Sequence, residues 1–308
     1  MNQQAILSDL IDSLQGNGKR SLILNSSYDN IVLQVNGDVF RWSLSKSLDD
    51  VRREADFIRY LHDNDFHAAE VRRVSETHIK SRKEGLPLLV TSYIPHDTDV
   101  SFPSAVLHKA AEALYRIHQL GESFCKNNSY VQGRKIDELL SQMDDSLKKG
   151  LSPNATNRLQ VQDDLRWALN FIDQAPMGNP QTIIHNDFRP QNVLTANGDI
   201  AAVIDFDYAI ASHTPQKDVA HAALEWSFPD TSEVPDLDRF RLFVEAYAAT
   251  GNETYEDYIE RVNLFDWVKV AAMIDAAGYW LHSPENTTER FGSYMYKKFR
   301  YFQDYKNV

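Results

Sequence analysis

Within the twelve residues IIHNDFRPQNVL (183–194), His185, Asp187, Arg189 and Asn192 stand between apolar ends. A second run, AAVIDFDYAI (201–210), sets Asp205 and Asp207 just after an apolar, strand-like segment. Asp187 and Asn192 are five apart in a stretch broken by Pro190, which favours a loop over a continuous helix. A carboxylate in such a loop can orient or deprotonate a hydroxyl. An asparagine amide oxygen can ligate a hard cation. Asp205 follows Asp187 by 18 residues. Asn197-Gly198 between them is a hairpin signal that pairs NVLT with IAAVI. The start of one strand then lies near the end of the other, so Asn192 and Asp205 meet, beside Asp187. An amide and a carboxylate converging on one point outline a Mg²⁺ site, with phosphate as the remaining ligand.

The elements that would carry these residues are legible in outline. SLILN (21–25), IVLQV (31–35) and VFRWSL (39–44) are short and rich in β-branched or aromatic residues, as strands are. Asn36-Gly37 predicts a type I′ hairpin between the last two. In LDDVRREADFIRYLHD (48–63), Val51, Ala55, Ile58 and Leu61 recur at three and four, an apolar helical stripe. AAEVRRVSETHI and LPLLVTSYI read as further strands. The first 92 residues are therefore expected to form a mostly antiparallel sheet with one helix. After PHDTDVSFP a helix is predicted over 104–120, with Leu107, Ala111, Leu114 and Ile117 on one face, and further helices near 135–149 and 160–175. From about 216 onward the chain is helical and aromatic-rich.

Composition narrows the function classes. With 308 residues the chain can bury a large core as one domain or two. The formal net charge of −12, from 32 basic and 44 acidic residues, argues against a nucleic-acid partner, which calls for a basic surface. No apolar run is long enough to span a bilayer, so no membrane partner is expected. The N-terminus lacks the basic start and apolar core of a signal peptide. A single cysteine, Cys125, excludes an intramolecular disulfide, and a reducing, cytoplasmic location is expected. His213 and His221 are eight apart with no third ligand close in sequence, which is not a zinc pattern.

His-x-Asp-x₄-Asn, a hairpin, and then Ile-Asp-Phe-Asp resembles the catalytic and metal loops of the protein-kinase-like fold. Within that fold the chain is most similar to the aminoglycoside phosphotransferase and choline kinase family, which includes homoserine kinase-like enzymes. The resemblance implies an α+β, bilobal chain: a nucleotide-binding lobe over 1–92, a hinge over 93–99, and a catalytic and acceptor-binding lobe over 100–308. It implies ATP, with GTP as an alternative donor, and Mg²⁺ as cofactors, and a small hydroxyl-bearing acceptor such as an amino alcohol, homoserine, an aminoglycoside or another sugar. Asp187 becomes the catalytic base, Asn192 and Asp205 hold Mg²⁺, and Asp207 stands where the family has a second acidic residue near the metal. Arg189 falls two after the base, where Ser/Thr protein kinases carry a lysine that touches the transferred phosphoryl. His185 takes a structural role in the loop, and Asp218 starts a helix and braces that loop.

The same resemblance makes NSSYDN (25–30) the phosphate-covering loop, with Ser26, Ser27 and Asn30 as its polar residues and no glycine. Arg41 fills the strand position of the phosphate-binding lysine. Its helix partner is Glu54, which lies on the apolar stripe itself and needs an inward-facing cation. Val39 shares the strand face of Arg41 and roofs the adenine. TSYIP (91–95) falls at the hinge, where Ser92, Tyr93 and Ile94 offer backbone groups to the base. Two other readings remain at this point. One is a protein Ser/Thr kinase, opposed by the step of 13 residues from Asp205 to Asp218, too short for a peptide-docking segment. The other is a non-catalytic nucleotide-binding protein of the same fold, opposed by the joint presence of Asp187, Asn192 and Asp205.

Overall fold

Asn36 and Gly37 have φ of 52° and 86°, and Asn197 and Gly198 have 55° and 77°. Both pairs take the two left-handed conformations that a type I′ turn requires, and both expected hairpins form. The computed structural model describes residues 3–15, 21–26, 29–80, 82, 84–97, 104–127, 158–174, 181–228, 234–282 and 288–304. Contacts divide the chain into two units. Unit 1 is Met1–Val100 with Asn192–Asp207, and unit 2 is Ser101–Gln191 with Tyr208–Val308.

Unit 1 is an antiparallel sheet of β1 (Ser21–Ser26), β2 (Asn30–Val35), β3 (Asp38–Ser43), β4 (Val71–Thr77) and β5 (Leu86–Ser92), in the order β1-β2-β3-β5-β4. Alternation along β2 and β3 sends Ile31, Leu33, Phe40 and Trp42 to one face, where they pack with Ile6 and Leu10 of helix α1 (Gln3–Gln15). Helix α1 is an addition to the single helix expected in this part. The other, α2 (Leu48–Asp63), has the expected limits. Ser47 and Asp50 close its first turn as a reciprocal capping box. The hairpin β7 (Val193–Ala196) and β8 (Asp199–Val203) belongs to unit 1 by its bonds. Val203 N–H donates to His67 O at 2.8 Å, and Asp97 N–H to Thr195 O at 2.7 Å.

Unit 2 contains α3 (Ser104–Asn127), α4 (Arg158–Gln174), α5 (Pro215–Ser227), α6 (Leu237–Thr250), α7 (Tyr255–Val262), α8 (Leu264–His282) and α9 (Thr288–Asp304). A short β6 (Thr182–Ile184) pairs antiparallel with β9 (Ile210–Ser212). Trp226, Tyr247 and Trp267 are core residues. The side chains of Tyr279 and Trp280 lie outside the described residues, as does the helix expected over 135–149. No helix among the described residues is long and apolar enough to cross a membrane.

Helix α3 lies directly on β6, and Gly121 makes that approach. A Cβ there would stand 2.6 Å from Ile183 N and 2.7 Å from Thr182 Oγ1. Gly121→Ala is therefore expected to destabilise the protein by about 1–3 kcal/mol, the usual cost of overpacking. Urea unfolding measures it, and an unchanged midpoint would contradict the packing.

Candidate active site

In unit 2 the loop after β6 is held by one buried carboxylate. Asp218, in the first turn of α5, is fully buried. It accepts the backbone N–H of His185 at 2.7 Å and of Asn186 at 2.8 Å. His118 Nε2 lies 3.0 Å from the same carboxylate, and its Nδ1 lies 2.7 Å from the Tyr247 hydroxyl. Burial pushes the Asp218 carboxyl up, but the hydrogen bond to His118, with His185 and Lys217 near, overrides this and draws it down to about 2. These bonds fix Asn186 at φ 66°, and the Lys217 ammonium donates to its side-chain oxygen. Phe188 is fully buried, with its ring centroid 6.4 Å from both Trp226 and Phe243.

That bracket places Asp187 between half-buried Asn186 and buried Phe188, with its own side chain 15% exposed. Its backbone N–H donates to His185 Nδ1 at 3.3 Å, so His185 has the structural contact expected of it. Arg189 Nη2 stands 3.2 Å from Asp187 Oδ2. Unit 2 also has a cavity of about 200 Å³ lined by Tyr115, Tyr247, Tyr258 and Arg261, among others. Neither Asp187 nor Arg189 lines it; Tyr247 links its wall to the loop through His118 and Asp218.

Unit 1 contains a compact charge cluster. The side chains of Glu54 and Asp207 are 4% and 3% exposed. Arg41 Nη2 is 2.6 Å from Glu54 Oε2, and Nη1 is 2.5 Å from Asp207 Oδ1. Lys46 Nζ adds a contact of 2.8 Å to Asp207 Oδ1 and one of 3.6 Å to Glu54 Oε2, and it donates to the Asp207 carbonyl. Asn30 Nδ2 donates to Asp207 Oδ2 at 3.0 Å. Burial raises the Asp207 carboxyl, but Arg41 and then Lys46 prevail and hold it at about 2. Both oxygens of Asp207 are thus taken by Arg41, Lys46 and Asn30. Its charge is spent on two cations.

Asn192 and Asp205 come together in unit 1, where β7 and β8 begin and end. Val193 is paired with Val203, and Ile204 N–H donates to Asn192 O at 2.9 Å. Asp205 turns off the strand in a left-handed conformation, φ 62°. An amide oxygen and a carboxylate at one hairpin end are hard oxygen donors, which fits Mg²⁺.

The other expected nucleotide contacts lie on β1, β2, β3 and the segment that ends β5 and follows it. Ser26 is the last residue of β1 and Asn30 the first of β2. The connecting loop is therefore shorter than NSSYDN, and Asn30 faces Asp207. Ser27 and the side chain of Ser26 lie outside the described residues. Val39 is half-buried on β3, opposite Gln34 and Thr91. At the expected hinge, Ser92 N–H donates to Glu70 O at 2.9 Å and Tyr93 N–H to Gly37 O at 2.8 Å. Those two amides are already used within unit 1. Ile94 O lies 2.8 Å from His96 Nδ1. Lys46 was not singled out from the sequence. It is a lone lysine in a polar loop, and no spacing marks it.

A model of a phosphotransferase enzyme family matches residues 23–264. No curated protein matches the chain. Among solved structures, an amicoumacin kinase in complex with AMP-PNP, Ca²⁺ and Ami is similar at TM-score 0.69 and 14% identity, covering 98% of this chain and 94% of that one. A thermostable mutant of an aminoglycoside phosphotransferase, in its apo form, is similar at TM-score 0.69 and 15% identity, covering 98% and 100%. A choline/ethanolamine kinase family protein from Mesorhizobium loti is similar at TM-score 0.64 and 14% identity, covering 93% and 88%. At such identities the likeness is one of fold, that of the kinases.

The charge cluster predicts coupling between its members. In a double-mutant cycle of Arg41→Met and Glu54→Met, the unfolding free energies should depart from additivity by more than about 0.5 kcal/mol. Additive effects would show that the two side chains do not act as a pair.

Proposed function

The chain belongs to the phosphotransferase enzyme family, and from that premise we propose that it moves the γ-phosphoryl group of ATP, with Mg²⁺, to a hydroxyl of a small molecule. The observation that carries this reading is the state of Asp187. It is a carboxylate with its side chain 15% exposed, 3.2 Å from Arg189, on a loop held by the Asp218 bracket. Asp187 accepts the proton as the acceptor oxygen attacks: the O–H bond breaks, the new O–P bond forms, and the γ-phosphorus–oxygen bond to ADP breaks. Arg189, 3.2 Å away, offsets negative charge on the transferring group.

Asn192 and Asp205 are the residues that would hold Mg²⁺. An ion held by these two residues would supply positive charge to offset that of the phosphates. Arg41, with Lys46 beside it, takes the phosphates. Glu54 and Asp207 position these two cations, so Asp207 serves the site through Arg41 and Lys46 more than as a metal ligand. Val39 covers the base, and Ile94 supplies its backbone contact. GTP remains an alternative donor. The twelve residues between Asp205 and Asp218 include a 3-10 turn, Phe206–Tyr208, and strand β9. Little chain is left for a peptide platform, which favours a metabolite or drug over a protein acceptor.

The test is incubation with labelled ATP and Mg²⁺ against a metabolite pool and a peptide library. Label is expected in the small-molecule fraction, and Asp187→Asn should lower kcat by roughly 10²–10⁴-fold while leaving nucleotide affinity in place. Label in peptides alone would favour the protein-kinase reading. A near wild-type kcat in the variant would remove Asp187 from the role of base.

A further inference from the structure

His221 and Glu225 lie one turn apart on one face of α5, and α8, which carries Asp275, packs against that helix. One ligand atom from each of the three lies within 4.8 Å of the other two. His221 is 6% exposed. Its Nε2 and Asp275 Oδ2 form an ion pair at 3.3 Å, without the geometry of a good hydrogen bond at that buried carboxylate oxygen. His221 Nδ1 is buried without one as well. A spacing of 3.3 Å between two ligand atoms also matches the edge of a metal polyhedron. For tetrahedral zinc with bonds of about 2.1 Å, that edge is about 3.4 Å. Glu225 gives Oε1 to Lys298 at 2.7 Å, which leaves its Oε2 for a ligand. Metal-bound carboxylates are commonly braced by such an outer contact. The phosphoryl-transfer reading uses none of these three residues.

We propose that His221, Glu225 and Asp275 form a second metal site, one for a borderline divalent transition-metal ion such as Zn²⁺. One imidazole and two carboxylates suit Zn²⁺, whereas Mg²⁺ prefers octahedral oxygen and keeps its waters. The charged groups nearest these ligands are Asp187, Lys217 and Lys298. Three ligands leave a fourth position for water or a solute oxygen. The sequence hides the site because its third ligand stands 50 residues beyond Glu225.

The experiment uses full-length, metal-stripped protein without tag histidines or nucleotide. It is titrated with ZnCl₂ by calorimetry at pH 8, in two buffers of different ionisation enthalpy. One saturable site with proton release is expected. His221→Gln and Asp275→Asn should weaken binding at least about ten-fold. His108→Gln, at an exposed histidine paired with Glu112, should not. Absence of saturable Zn²⁺ binding, or binding unchanged by His221→Gln, overturns the proposal. Should either ligand variant fail to fold, the Co²⁺ spectrum of the wild type decides. A four- or five-coordinate spectrum supports the site, and that of an octahedral all-oxygen ion overturns it. Phosphotransferase activity is not the readout, so the site and the proposed reaction stand or fall separately.

Discussion

Glu54 and Asp207 are buried carboxylates, and unit 1 is arranged around pairing them with cations. Taking such a charge out of water costs several kcal/mol even after the protein relaxes. Close, well-bonded cations must offset that cost, and Arg41 and Lys46 supply it within 2.5 to 3.6 Å. The demand fixes several elements together. The register of β3 must turn Arg41 away from the face that holds Phe40 and Trp42. Helix α2 must present Glu54 inward. The turn after β8 must bring Asp207 to the same point as Asn30. A guanidinium held on both sides is preorganised, and its removal would leave two carboxylates without full compensation.

Unit 2 solves a similar problem with a different donor set. Asp218 is as deeply buried, but it is satisfied by backbone N–H groups and His118. Those bonds hold a loop that has no strand or helix of its own to define it. Phe188 enters the core between Trp226 and Phe243, so Asp187 and Arg189 are carried outward on either side. The mixture of apolar and ionisable residues in IIHNDFRPQNVL follows from this alternation. One set anchors the loop, and the other is left to react.

Much of this was readable from the chain because it rests on local rules. Asn36-Gly37 and Asn197-Gly198 specify turns by their backbone preferences. The spacing of Val51, Ala55, Ile58 and Leu61 specifies α2, and a carboxylate on that stripe demands the partner found in Arg41. What escaped depends on contacts remote in sequence. Asn30 meets Asp207 across 177 residues and His118 meets Tyr247 across 129, and no periodicity encodes either. Lys46 has only a loop for context. Helix α1 buries Ile6 and Leu10 against the sheet, a fit set by tertiary packing. At Ser92 and Tyr93 the use of their amides within unit 1 has no signature in the sequence.

The central claim is that the hairpin end carrying Asn192 and Asp205 makes nucleotide binding depend on Mg²⁺. Calorimetric titration of the wild type and of Asp205→Ala with ATP, each with and without Mg²⁺, addresses it directly. The wild type should bind ATP more tightly with Mg²⁺ than without, and Asp205→Ala should lose that difference. An equal gain from Mg²⁺ in both proteins would contradict the account.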